Sequence, residues 1–376
     1  MVRMIFLGFL LLALISALVH AQPNDGDPLH VQVFEDYLET VIASGPQLTS
    51  LHIAIILGEV NARFADVMSL AAFQPDALRT THLIYSDYGE YYIEAKIDGD
   101  IVVRDTNTDD LVTTFNGHST YVWEIKISDT ADRVASSDDE GNVLIWDPFT
   151  GTTLTEVTSF NQRPAVSISW NRDGSQISVV FADSEVVSIF DSSSGELVDT
   201  ITTPTTAFCA RFHPSLDRLA VCDLASTLIF DFITDSVTDL VDSQGKPLES
   251  TRLEWNADGT GLAIATLDGQ IVLWNSVDGS LNALKGTLLE TRSLQWSPHE
   301  DFLLGVGRQI ARVWRMSDKT IVDTLDIPPL LAVATWRTPY QVTYIDALGY
   351  RQTTQPYPTQ IPATTAASTP APTTAP

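Results

Sequence analysis

An all-β fold, a closed ring of small antiparallel sheets, is predicted for this chain by three observations. An apolar run ends on an aromatic or aliphatic residue seven times, at Tyr85, Ile127, Trp170, Phe212, Trp255, Trp296 and Trp336, and successive marks stand 40 to 43 residues apart. A regular period in this range is one structural unit repeated. Turn sequences follow the marks, among them Ser86-Asp87-Tyr88-Gly89, Asn171-Arg172-Asp173-Gly174, Asn256-Ala257-Asp258-Gly259 and Ser297-Pro298-His299. There Gly supplies positive φ, Pro presets φ, and Asn or Asp side chains bond the local backbone. The runs between turns, such as 176–181 and 261–266, are short and carry no helical period. Each copy therefore reads as four strands, the blade of a β-propeller.

Taken in order, residues 1–21 form a signal peptide. Arg3 gives a positive start, 4–18 is almost unbroken apolar sequence, and Val19-His20-Ala21 offers small residues at the cleavage positions, so cutting is expected before Gln22. The apolar run is short of the roughly 20 residues that span a bilayer, so no stable membrane insertion is expected after leader removal. The rival is an uncleaved anchor. Residues 22–66 are an N-terminal extension, possible as a helix because Val31, Val33, Phe34, Tyr37, Leu38 and Val41 recur near helical spacing before Ser44-Gly45-Pro46. Residues 67–354 are the propeller.

Within the propeller the seventh copy stops before a fourth strand, and an open sheet edge is a liability. Val67 to Phe73 precedes the first copy by the offset that 111–115 has before the second, so it is expected to supply the outer strand of the last blade and close the ring at seven. Eight blades remain the alternative, with 52–56 and 60–64 as strands of a further copy. From 355 to 376 Thr, Pro and Ala dominate and no residue is charged, which predicts a disordered tail, either O-glycosylated and stalk-like or a plain solvated terminus.

Blade two carries a resemblance. Gly117-His118, Val122, Ile125 and Ile127, the turn Ser136-Ser137-Asp138-Asp139-Glu140-Gly141, and Leu144-Ile145-Trp146-Asp147 are similar to the pattern of the WD-repeat family. The resemblance implies a hydrogen-bonded relay of His118, Ser136, Glu140 and Trp146, with Glu140 at the usual Asp position and Asp139 beside it. Asp98 and Asp268 keep the turn Asp in blades one and five. It also implies that partners meet the rim formed by the loops leading into the first strand and between the second and third.

Cys209 and Cys222 fall on neighbouring strands of blade four, and a register pairing Phe212 with Leu219 sets them opposite each other. A disulfide is possible there, worth at most about 3 kcal/mol for so short a loop, and two buried small hydrophobes are the alternative. The formal charge is −27, from 48 acidic against 21 basic side chains. That balance argues against nucleic acid, whose binding rests on Lys and Arg, and disfavours anionic membranes. The basic exception is Arg308, Arg312, Arg315 and Lys319 in blade six.

Chemistry is hard to find. The sequence offers no metal, cofactor or nucleophile motif; His213 and His299 read as solvated turn tips, and Asp138 to Asn142 as a tight turn sooner than a calcium loop. No blade-to-blade register of His, Asp or Glu is visible for a channel site. The expectation is an exported, monomeric, non-enzymatic propeller that binds a protein or peptide through Tyr121, Trp123 and Glu124, with Trp123 as anchor because it alternates away from Val122 and Ile125. Packing of Trp123 on a neighbouring blade is the rival for that residue. A propeller enzyme or carbohydrate-binding protein using the central channel is the rival for the whole chain.

Overall fold

A computed structural model describes residues 80–358, apart from 87–88, 97, 129–131, 159–162, 328–332 and 347–349. The signal peptide, the N-terminal extension, the closing strand expected at 67–73, the strands 52–64 of the eight-blade alternative and the tail from 359 lie outside the described residues. Among the described residues every regular element is a strand, and none is a helix long and apolar enough to cross a membrane.

Seven antiparallel sheets follow one another: 80–115, 122–158, 165–202, 207–239, 250–283, 293–326 and 334–353. The first six have four strands in simple up-and-down order, and the seventh has three. The marks close the innermost strands, as in Thr80–Tyr85, Val122–Ile127, Ala165–Trp170 and Ser250–Trp255. The hairpin after five of the marks is held by one device. The side chain one residue past the mark accepts an N–H from the start of the second strand: Ser86 from Tyr91 at 3.3 Å, Ser128 from Arg133 at 3.3 Å, Asn171 from Gln176 at 2.9 Å, Asn256 from Gly261 at 2.7 Å and Ser297 from Phe302 at 3.1 Å. Four residues past the mark the backbone turns to positive φ, which is why glycine stands there in Gly89, Gly174 and Gly259. Blade six puts Glu300 at that position, at φ 60°, and its carboxylate reaches back to accept from the Ala257 N–H in the turn of blade five.

The blades bury their faces on each other. Phe115 of blade one stacks on Trp146 of blade two at 4.4 Å between ring centroids, inside a cluster with Tyr91, Ile93, Ile101 and Val134. The ring closes directly. Leu83, Tyr85 and Tyr92 of blade one pack on Val333 and Ile345 of blade seven, while Arg351 donates to Tyr92 Oη at 2.8 Å and Glu94 at 3.1 Å. Blade one seated on blade seven leaves no place for an eighth.

Innermost strands of neighbouring blades do not pair as ladders, so their backbone groups need other partners. Indoles supply them. The Trp marks donate Nε1–H across the blade boundary to the carbonyl one residue before the preceding mark: Trp170 to Lys126, Trp255 to Arg211, Trp296 to Glu254 and Trp336 to Gln295, at 3.0 to 3.3 Å. Tyr85 instead donates to Thr343 Oγ1 at 3.4 Å.

Cys209 and Cys222 are bonded as a disulfide, with Cα atoms 5.2 Å apart in the pairing that sets Phe212 opposite Leu219. Two sequence expectations change. Residues 355–358, assigned to a disordered tail, instead pack on the ring: Tyr357 sits against Phe302 and Trp336, donates to Asp323 at 2.9 Å, and its N–H bonds the Tyr340 carbonyl. His213 is not a solvated turn tip. It is buried, and its Nδ1 accepts the N–H groups of Ser215 and Leu216, so Nε2 carries the proton and donates to the Gly259 carbonyl of blade five at 3.0 Å.

Candidate functional site

The relay of blade two is built differently from the expectation at one position. Trp146 donates to Ser136 Oγ at 3.1 Å, the Ser136 hydroxyl meets His118 Nε2 at 2.6 Å, and His118 Nδ1 meets Asp138 at 2.9 Å. The carboxylate is Asp138, not Glu140. Only Asp138 ends its strand facing inward; Glu140 lies in the turn and gives its backbone N–H to Asp138 at 3.0 Å. Asn142 adds two donors to Asp138, so both oxygens are occupied and neither is left for a calcium ion. Burial works to raise the Asp138 carboxyl, but the His118 and Asn142 hydrogen bonds outweigh it and hold it below the usual carboxylate range. His118, Ser136 and Asp138 are buried beneath the surface, which makes the relay a brace for the blade.

A cavity of about 1230 Å³ runs down the ring axis, lined by the innermost strands. Two positions recur in its lining from copy to copy. Three residues before the marks stand His82, Glu124, Ser167, Cys209, Arg252 and Ser293; one residue before stand Lys126, Ser169, Arg211, Glu254, Gln295 and Thr335. These columns are the register that sequence reading missed. Aligning the copies on their marks reveals them, but which blades face each other is set by closure of the ring.

Arg211 anchors the channel. Its guanidinium donates to Glu124 at 2.5 Å, Glu254 at 3.3 Å and Ser167 Oγ at 2.8 Å, joining blades two, three, four and five. Burial opposes the Arg211 charge, and the two carboxylates overcome that and raise its pKa. Burial likewise pushes Glu124 up, but Arg211, Lys126, the Ile168 N–H and Arg252 hold it below the ordinary range. Both carboxylates are thereby paired with cations.

The rim residues divide. Glu124 belongs to the channel wall. Trp123 stands at a β-bulge, where the pairing steps from Val122 opposite Asp138 to Glu124 opposite Ser137, and equivalent bulges fall at Thr81, Val166, Phe208 and Thr251. A bulge re-aims a side chain. Trp123 accordingly lines the channel mouth, half-buried, edge-on to Tyr121 at 5.4 Å, with its indole N–H donated to Asp139 at 3.1 Å.

Charge in the channel is inverted relative to the chain. Six cationic side chains, Lys126, Arg172, Arg211, Arg252, Arg292 and Arg337, face three carboxylates, Glu124, Glu254 and Glu300. The basic group noted in blade six does not contribute. Arg308 pairs with Glu290 at 3.3 Å, Arg315 with Asp318 at 2.8 Å, and Arg312 donates to the Thr287 carbonyl. Among the described residues no group of three or more His, Cys, Asp or Glu is arranged to hold a metal.

Residues 109–147, from the outer strand of blade one through the third strand of blade two, match the family model described as WD domain, G-beta repeat. The chain is 29% identical over 75 residues to WD repeat-containing protein 35 of Homo sapiens, covering 20% of this chain and 6% of that protein. It is 23% identical over 206 residues to cell division cycle 20.1, cofactor of APC complex, of Arabidopsis thaliana, covering 52% and 45%. The chain thus spans less than half the length of these curated relatives. A solved structure, the β-propeller domain of Cps50 (Swd1) from Myceliophteria thermophila, superposes with a TM-score of 0.61 at 15% identity, covering 73% of this chain and 95% of that one. At that identity the likeness is one of fold.

Proposed function

We propose that this seven-bladed propeller, whose second blade matches the WD-repeat model, is an exported, non-enzymatic scaffold that binds a protein or peptide at the mouth of its central channel. The observation that carries this reading is the aromatic pair of Tyr121 and Trp123. Trp123 stands at the bulge, half-buried in the channel lining, and Tyr121 packs edge-on to it. Interface anchors favour Trp and Tyr, because a large rigid surface is gained for little side-chain entropy. The Asp139 hydrogen bond fixes the indole before a partner arrives. Pairing of Glu124 and Glu254 with Arg211 supports a binding role over acid or base catalysis. Export rests on the leader at 1–21.

Trp123→Ala tests the scaffold. Proteins captured by the wild-type chain from the medium of the producing cells, identified by mass spectrometry, should be lost with the variant by tenfold or more, about 1.4 kcal/mol or greater, while near-ultraviolet circular dichroism remains that of a folded ring. Equal capture by the variant removes Trp123 from the site.

A further inference from the structure

We propose that the channel mouth is an oxyanion site, taking a carboxylate or a phosphate group between the guanidinium groups of Arg252 and Arg292. Three features point there. The whole chain carries 48 acidic against 21 basic side chains, yet cations outnumber carboxylates two to one in the channel wall. A concave site concentrates the field of the charges that line it, so a local excess of one sign selects the opposite ion even on a protein of opposite net charge. The second feature is the fixed position of the Arg252 guanidinium beside Arg292. Arg252 donates Nε to the Arg292 carbonyl at 2.7 Å and Nη1 to the Thr251 carbonyl at 2.7 Å, which holds its guanidinium against the strand that carries Arg292.

The third is that the nearest carboxylate is committed elsewhere. Glu124 gives one oxygen to Arg211 at 2.5 Å and the other to the Ile168 N–H at 2.8 Å, and it acts on Arg252 only at longer range. Burial, with Arg211 and Arg292 nearby, lowers the Arg252 pKa despite Glu124, so its charge is under-compensated in the ring as it stands. Arg292 is solvent-exposed and lines the same cavity, with Tyr121, Glu290 and Arg308 within electrostatic range, and Glu290 is paired with Arg308 at 3.3 Å. A planar carboxylate or a phosphate matches a guanidinium pair with short charge-assisted hydrogen bonds. This site does not depend on Trp123 as an anchor; either can fail alone.

Isothermal titration at low salt, with inorganic phosphate and separately with capped triglutamate, tests it on the chain as secreted. Binding by the wild type, weakened about tenfold in Arg252→Gln and in Arg292→Gln, as expected for loss of one charge-assisted contact, and unchanged in Arg104→Gln on the outer part of blade one, supports the site. Phosphate alone binding identifies a phosphate ligand, and triglutamate binding identifies an acidic side chain of a partner. Arg252→Lys keeps the charge and should retain part of the affinity if Arg252→Gln fails to fold. The proposal is overturned if neither probe binds up to about 10 mM, a level set by the weakest useful affinities, or if the channel variants bind as the wild type does.

Discussion

Single side chains in this ring are chosen for the turn they close, and much of the acidity is of that kind. Asp105, Asp147, Asp191 and Asp231 each accept two backbone N–H groups two and three residues on, and Asn275 does the same in blade five. Hydrogen bonds from Ser193 and Ser194 hold Asp191 at about 2, and those from Thr234 and Arg218 hold Asp231 there too. These carboxylates are turn caps, not ligands. His213 shows what a different choice costs. Five other blades place Ser or Asn one residue past the mark, and blade four places a histidine whose pKa burial lowers. The folded ring then binds fewer protons than the unfolded chain once pH falls below the ordinary histidine value of about 6.5. Stability is full above that pH and declines as pH drops towards the lowered folded value. His213→Asn keeps an acceptor for the turn, as Asn171 and Asn256 do, but cannot titrate. Urea midpoints of the variant should lie within about 1 kcal/mol of wild type at pH 8 and fall less steeply between pH 6.5 and 5. Parallel curves for the two proteins would exclude His213 as the source of acid lability.

The blade is a hydrogen-bonded sheet, but the joint between blades is made by side chains. Four of the seven marks are Trp, and each places an indole N–H on the carbonyl of the blade before it. Ile127 and Phe212 have no such donor. At the blade two joint Phe115 packs on Trp146, and at the blade four joint the Phe212 N–H donates to Ser169 Oγ at 3.1 Å and Arg211 to the Ile168 carbonyl at 3.2 Å beside the packing of Ala207, Ala210, Leu219 and Val180. Trp296→Phe keeps most of the buried ring area and leaves the Glu254 carbonyl without its donor, an omission that costs about 1 to 3 kcal/mol. Equilibrium denaturation should show that loss with an unchanged denaturant slope. Conversion of Phe212 to Leu removes no hydrogen bond, so a comparable loss there would show that ring area, not the indole donor, sets the joint.

At the scale of the molecule the ring stands or falls with the contact between its first and last blades, since each blade covers only its neighbours. Arg351 lies over the Tyr92 ring at 5.0 Å and bonds both Tyr92 and Glu94 across that contact. Arg351→Ala should lower stability by about 2 kcal/mol, read as a fall in the urea midpoint; an unchanged midpoint would place the closure in the apolar contacts of Leu83, Val333 and Ile345. From the sequence alone came the all-β class, the seven copies, the strands they end and the register that joins Cys209 to Cys222, while the relay members His118, Ser136 and Trp146 came through the resemblance of blade two to the WD-repeat family. All of these are local, written in spacings of a few residues or in one repeated period. Glu140 was misplaced by two residues because counting along a tight turn does not tell which side chain faces inward. His213 was misread because the carbonyl that covers it belongs to another blade. The inverted charge of the channel was decided only in three dimensions. Lys126, Arg211, Arg252 and Arg292 are far apart along the chain, and they converge because closing a ring brings the innermost strand of every blade to one axis.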